Sequence, residues 1–290
     1  MSKLLGILLI IVSATSFGAM PIFAHFVYAS GVTPLTALFF RFGIAALCLW
    51  SYMLLQQQSW PQRKNLKILM AIGGVGFVFQ SITFFVALTL VSGGLVVLLL
   101  YLYPTIVVAI SIVVLRQPSS PMKLLALMTA LTGTALTIGP VEKAQFLGVI
   151  LGILSAFIYA TYVLVGDRVM QEESPLVSST VMISAAAFVF GGIAVIQGVS
   201  LPTHISGWLG LIAIAVISTV VSISTLFTGI KLLGAATASV LSTLEPVVTI
   251  ALSFVILQQQ ITQMQLLGGG LIVLAVLLIT LEKPTIPASE

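Results

Sequence analysis

Long apolar runs alternate with short polar, glycine- or proline-bearing breaks along the whole chain. A helix that crosses a bilayer needs roughly 20 mostly apolar residues. Ten runs qualify: 4–27, 34–55, 66–88, 93–115, 122–138, 146–165, 175–196, 207–230, 235–257 and 266–281. The breaks carry turn and cap residues, as in Ser30-Gly31, Ser92-Gly93, Gln117-Pro118-Ser119-Ser120-Pro121, Gly139-Pro140 and Gly234. The fifth run is short and the breaks at Ser92 and Gly234 are tight, so nine spans is the alternative count. Lys3 followed by the apolar residues 4–12 resembles the start of a signal peptide. The run continues to Tyr28, however, beyond a signal core of about 7–15 residues, and so predicts a retained helix.

The pattern is written twice. Residues 84–117 align with 226–259 without a gap, at an offset of 142. Pro104 falls on Pro246, Ala109 on Ala251, Ser111 on Ser253, Leu115 on Leu257 and Gln117 on Gln259. Two five-helix units follow, 4–138 and 146–281. Because five is odd, the second unit starts on the opposite side of the bilayer and runs inverted. Inverted halves about a central site are a common transporter plan. The expected fold is an all-α integral membrane protein of ten transmembrane helices in two inverted five-helix repeats.

Composition agrees with a lipid-facing chain. Hydrophobic residues make up 59% and charged residues 6% of the sequence, against about 25% charge in soluble domains. The net charge of +4 therefore says nothing about nucleic acid; the placement of the basic residues matters instead. With alternate connections taken as cytoplasmic from the N-terminus onward, that side holds Lys3, Arg63, Lys64, Lys67, Arg116, Lys123, Arg168, Lys231 and Lys283. The other side holds Lys143, and Arg41 lies inside a span. Both termini are expected in the cytoplasm. The single cysteine, Cys48, excludes an internal disulfide and reads as a small buried hydrophobe.

The small-residue runs Ser92-Gly93-Gly94 and Gly234-Ala235-Ala236 lead to Tyr103-Pro104 and Glu245-Pro246, each followed by an apolar helix. With two five-helix units and the last-helix stretch Leu-Leu-Gly-Gly-Gly-Leu-Ile (266–272), the chain resembles the EamA family of the drug/metabolite transporter superfamily. That resemblance implies a secondary transporter and efflux, of amino acids or related small amphipathic compounds. Phe17-Gly18 is a Phe variant of the aromatic-Gly pair common in the family's first helix. Acidic residues often found after its fourth and ninth helices are replaced by Arg116-Gln117 and Gln258-Gln259-Gln260.

An ionisable group at bilayer depth costs at least about 2.5–3.5 kcal/mol on insertion scales. Arg41, in the second span, and Glu245, in the ninth, are two such groups at mid-depth. They either face a cavity and bind substrate or a proton, or form a fixed ion pair. Neither has a charged twin in the other unit, since Glu245 aligns with Tyr103 and Arg41 falls near Met182. Tyr103 and Gln80 are the other polar groups expected in the cavity, and Glu245 is the candidate proton carrier. Pro104 and Pro246 each remove a backbone hydrogen bond inside a span and are expected to act as kinks or hinges. Ser13, Ser16, Ser155, Tyr159 and Tyr162 form polar stripes that seam hydrogen bonds would explain.

No Gly-x-x-x-x-Gly-Lys-Ser/Thr segment supplies a nucleotide motor. No cofactor and no metal site are expected, and no catalytic residues are assigned. Rival classes are a membrane enzyme acting on lipid or isoprenoid substrates and a non-transporting membrane partner. The enzyme would need a cluster such as Asp167, Glu172 and Glu173, which reads as a solvated cytoplasmic loop. The partners expected are a small-molecule substrate, the bilayer of the cell membrane and, if export is proton-coupled, protons, with no nucleic acid, in a monomer or homodimer.

Overall fold

The computed structural model describes residues 2–91, 93–117, 120–138 and 145–281. Among the expected break residues Ser92, Pro118, Ser119, Gly139 and Pro140 lie outside these, as do Lys143 and Lys283. Among the described residues, ten helices are long and apolar enough to cross a membrane, and no strand occurs. In order these are spans 1 to 10: Lys3–Ala29, Pro34–Leu55, Arg63–Leu90, Leu95–Val113, Pro121–Ile138, Phe146–Glu172, Pro175–Gln197, Ile205–Leu233, Ala235–Leu257 and Gln263–Leu281.

Local chemistry sets the ends. Thr33 caps span 2, its Oγ1 accepting from the Thr36 N–H at 3.4 Å, with Pro34 in the first turn. Gly234, at φ +79°, turns the chain directly from span 8 into span 9. Span 6 runs seven residues past its expected end, from Val165 to Glu172. The acidic residues thought to lie in a solvated loop are therefore part of a helix end and its bonds. Asp167 hydrogen-bonds the backbone of Ala235 and the side chain of Gln171, so it caps span 9 from a neighbouring helix.

Hydrogen bonds between connections sort them into two faces. In the first turn of span 3, Asn65 Nδ2 donates to Glu172 Oε2 at 3.0 Å and to Glu173 Oε1 at 2.9 Å. Lys231 Nζ, at the end of span 8, donates to the Glu173 carbonyl at 3.0 Å. Gly6 in span 1 packs on Leu233, and Lys3 Nζ donates to the Thr280 carbonyl in span 10 at 3.1 Å. These groups share what is called here the near face. On the far face, Ser200 bonds with Thr33 and Thr36, and the Thr203 N–H and hydroxyl both donate to the Ser30 carbonyl at 3.0 Å. Each link joins connections that an up-and-down course of ten helices puts on one side.

Packing has an internal symmetry. Spans 2 and 7 pack on each other, as do spans 5 and 10. Span 1 packs on spans 8 and 9, and span 6 packs on spans 3 and 4. Span 2 touches span 8 as span 7 touches span 3. Exchanging the first five helices for the last five leaves this set of neighbours unchanged. Small residues permit the closest approaches. A Cβ on Gly133 would stand 2.6 Å from the Gly268 carbonyl across the 5–10 seam. One on Gly73 would collide with the Met182 carbonyl across the 3–7 seam.

Five spans are irregular near mid-depth, span 1 among them, interrupted at Ala19 between Ser2–Gly18 and Met20–Ala29. Spans 3 and 8 contain π-helical turns at Ile72–Phe77 and Val216–Val221. Span 4 is broken between Gly93–Leu100 and Tyr103–Val113, and span 9 between Ala235–Ser242 and Glu245–Leu257. Pro104 and Pro246 stand in the first turn of the second segment of each, where the missing N–H is tolerated. Phe188, Val195 and Ile196 point outward, where lipid replaces water. Cys48 is also exposed on span 2, not buried as expected. Its thiol is small and apolar enough for a lipid-facing position.

Candidate substrate site

The broken segments of spans 4 and 9 bring their polar residues to one place. Arg41, Gln80, Tyr103 and Glu245 all line a single central cavity of about 130 Å³. Four helices deliver them: span 2 brings Arg41, span 3 Gln80, span 4 Tyr103 and span 9 Glu245. Glu245 sits at the first residue of its helical segment, where the positive end of the helix dipole favours a carboxylate. The backbone of Gly18 approaches closely here, since a Cβ on it would stand 2.7 Å from the Glu245 carbonyl. Thr249 Oγ1 locks this contact by donating to the Gly18 carbonyl at 2.8 Å.

The two charges do not bind each other. Arg41 Nε donates to Thr219 Oγ1 at 2.8 Å, and the guanidinium carbon lies 5.1 Å from the Phe42 ring centroid. Thr219 lies in the π-helical turn of span 8, and its hydroxyl donates to the Ile214 carbonyl at 2.9 Å. The Glu245 carboxyl is hydrogen-bonded by the Tyr101 hydroxyl. Each charge thus has a neutral partner, and both face the same space. Gln80 Nε2 donates to Ser155 Oγ at 3.2 Å on span 6, so its partner is a neighbouring helix even though it also lines the cavity.

Three tyrosines join the expected residues. Tyr101, Tyr159 and Tyr162 line the cavity with Tyr103. Hydrogen bonds link Tyr103 to Tyr159 and Tyr159 to Tyr162. Their ring centroids are 4.2 Å and 4.7 Å apart, within the range of favourable aromatic pairs or slightly tighter. Ser155, Tyr159 and Tyr162 recur at i, i+4 and i+7, which puts them on one helix face. That spacing was the available signal. Of this polar stripe the serines form the seam: Ser13 Oγ donates to the Ser222 carbonyl at 2.9 Å, and Ser218 Oγ to the Ser16 carbonyl at 2.7 Å.

The cavity is closed on the near face and continues toward the far face. On the near side, Tyr103–Val113 of span 4 packs on Ala235–Ser242 of span 9, and Ser222–Leu233 of span 8 packs on spans 6 and 7. Phe227 presses on Gly166, where a Cβ would stand 2.7 Å from its ring. The matching far-side segments, Gly93–Leu100 and Glu245–Leu257, make at most sparse contact with each other, as do Val78–Leu90 and span 2. A second cavity of about 290 Å³ shares Arg41, Gln80 and Ser81 with the first and reaches Tyr28. A third, of about 890 Å³, shares Ser81 and Phe85 with the second and ends among Thr33, Thr89, Gln197 and Ser200.

Ten membrane-crossing helices around a polar mid-depth cavity define a multi-pass membrane protein with an internal cavity. The sequence profile of the EamA-like transporter family matches residues 4–139 and 146–281, and the chain belongs to that family of membrane transporters. It is 27% identical over 278 residues to the uncharacterized transporter YcbK of Bacillus subtilis, covering 91% of this chain and 89% of that protein. It is also 27% identical to the uncharacterized inner membrane transporter YicL of Salmonella typhimurium, over 76% of this chain and 75% of the relative. A solved crystal structure with 20% sequence identity shares the fold at a TM-score of 0.79, with 97% of each chain covered.

Proposed function

We propose that this chain is a secondary transporter that moves small metabolites out of the cell by alternating access, with amino acids or related amphipathic compounds as its substrates. One observation carries the proposal: four mid-depth polar side chains from four helices converge on one cavity that is packed shut on one face and continuous with wider spaces toward the other. In this proposal Glu245, Arg41, Tyr103 and Gln80 contact substrate. Glu245 carries the coupling proton.

Two five-helix units, 4–138 and 146–281, run inverted to each other. The self-mapping of helix neighbours supports that arrangement. So does the occurrence of a π-helical turn in both the third and eighth spans, and of a proline-led break in both the fourth and ninth. Closing the far-side segments while parting the near-side ones would then be the same motion reflected. The breaks at Pro104 and Pro246 are where spans 4 and 9 bend. The near face is the cytoplasmic one, because it collects the basic ends of the spans. Both termini lie there, in the cell membrane, and the functional unit is a monomer or homodimer.

Reconstitution into liposomes tests this. A panel of amino acids and metabolites, with and without a pH gradient, should reveal a substrate whose movement is lost in Glu245→Gln and Arg41→Ala. Proton flux that persists in a well-folded Glu245→Gln protein removes the coupling role. Labelling that places the N-terminus outside the cell removes the orientation.

A further inference from the structure

The central cavity keeps its two charges in different places. Glu245 lines that cavity and neither of the two wider ones, whereas Arg41 also lines the adjoining one toward the far face. Arg41 is moreover held at the wall by Thr219 and Phe42. The inner end is therefore where the carboxylate dominates. Half of the residues lining this cavity are Phe or Tyr. Tyr103, Tyr159 and Tyr162 form a continuous wall of rings, and Tyr162 meets Phe77 edge-on at 4.8 Å between centroids.

Ring faces carry partial negative charge and attract cations, most strongly where water is excluded. The Glu245 carboxyl, with Tyr101 as its phenol donor, adds a negative charge beside them when it is ionised, and a bound cation favours that ionised form. An anion would meet repulsion from both, and a neutral solute would gain contact area only. We infer that the inner end of this cavity takes an organic cation, a protonated or quaternary amine seated on the tyrosine wall with Glu245 as its counter-charge. This rests on the transport proposal and names the chemical class that its site selects. Arg41, at the outer edge, disfavours a second positive charge and offers donors to a hydroxyl or carboxylate at the other end of the same molecule.

Three probes with one ring and nearly one shape separate the charge from the rest: 2-phenylethylamine, 2-phenylethanol and 3-phenylpropanoate. Binding is read on the full chain in detergent as ligand-dependent thermal stabilisation. The amine should bind at least about tenfold more tightly than the other two, a preference of the size expected for a cation on desolvated rings and a carboxylate. That preference should vanish in Glu245→Gln. Equal affinity for the three probes, tighter binding of the anion, no amine binding up to tens of millimolar, or a preference that survives Glu245→Gln overturns the inference. The wild-type comparison decides by itself where the variant fails to fold. Failure of transport with the amine preference intact removes the transport proposal alone. Transported compounds that lack an amine and displace the amine probe remove this inference alone.

Discussion

Replacing Thr219 with valine removes one hydroxyl from the structure and keeps its shape. That hydroxyl accepts from Arg41 Nε at 2.8 Å and donates to the Ile214 carbonyl at 2.9 Å. Thr219 is fully buried, so no bulk water replaces it. A hydrogen bond to a charged group contributes about 1.5–3 kcal/mol and a neutral one about 0.5–1.5 kcal/mol. Arg41 is partly exposed to the cavity, where water can hydrate the freed N–H, so the loss should lie near the lower bound, about 2 kcal/mol. Thr219→Ser keeps the hydroxyl and deletes one methyl, which costs about 1 kcal/mol or less. Equilibrium unfolding in mixed micelles compares the two. The valine variant should be the less stable, and its transport should weaken because Arg41 is no longer fixed at the cavity edge. If Thr219→Val is as stable and active as Thr219→Ser, the π-helical turn is held by its backbone alone and Thr219 does not position Arg41.

Gly133→Val should destabilise the 5–10 seam by about 1–3 kcal/mol, because its side chain meets the Gly268 carbonyl, while Gly270→Ala, with open space around it, should be neutral by the same unfolding assay. Asn65→Ala removes the side-chain donor shared by Glu172 and Glu173, leaving the Gln62 N–H on Glu173, and should loosen near-face closure by about 1–2 kcal/mol. In a Cys48→Ala background, Phe227→Cys should then react faster with a water-soluble thiol reagent, and an unchanged rate would refute the closure. Tyr101→Phe removes the phenol donor that stabilises the charged Glu245 carboxylate and should weaken binding of the amine probe by about 0.5–1.5 kcal/mol at neutral pH; unchanged or tighter binding would refute the assignment.

The helices were legible because the hydrocarbon signal is strong and the breaks are short. Their ends were less so, and span 6 shows why. Asp167 and Arg168 look like the end of a membrane helix by composition, yet Asp167 finds partners in the Ala235 backbone and Gln171, one of its oxygens staying buried without a bond, and the helix continues to Glu172. Arg41, Glu245 and Gln80 announced themselves because polar groups at mid-depth are expensive and need a reason to be there. Tyr101, Tyr159 and Tyr162 did not, since an aromatic ring is equally at home in a packed seam. Thr219 was out of reach altogether. Its role depends on a π-helical turn and on a partner 178 residues away, and neither leaves a mark in local sequence.

The separation of Arg41 from Glu245 bears on how an empty site can stay ready. Direct pairing would satisfy both charges, and any ligand would first have to part them. Two unit charges about 4 Å apart attract by about 4 kcal/mol even at an effective dielectric of 20. Thr219 and Tyr101 instead give each charge a neutral partner, whose hydrogen bond contributes about 1.5–3 kcal/mol. Such partners hydrate the charges well enough to keep them in the membrane, yet yield to, or share with, a ligand group of opposite charge. The two partners also sit on different spans, Thr219 on span 8 and Tyr101 on span 4, which are irregular helices of opposite halves. A ligand that engages both charges therefore bears on both halves at once, which is the coupling that a rocking motion between them requires.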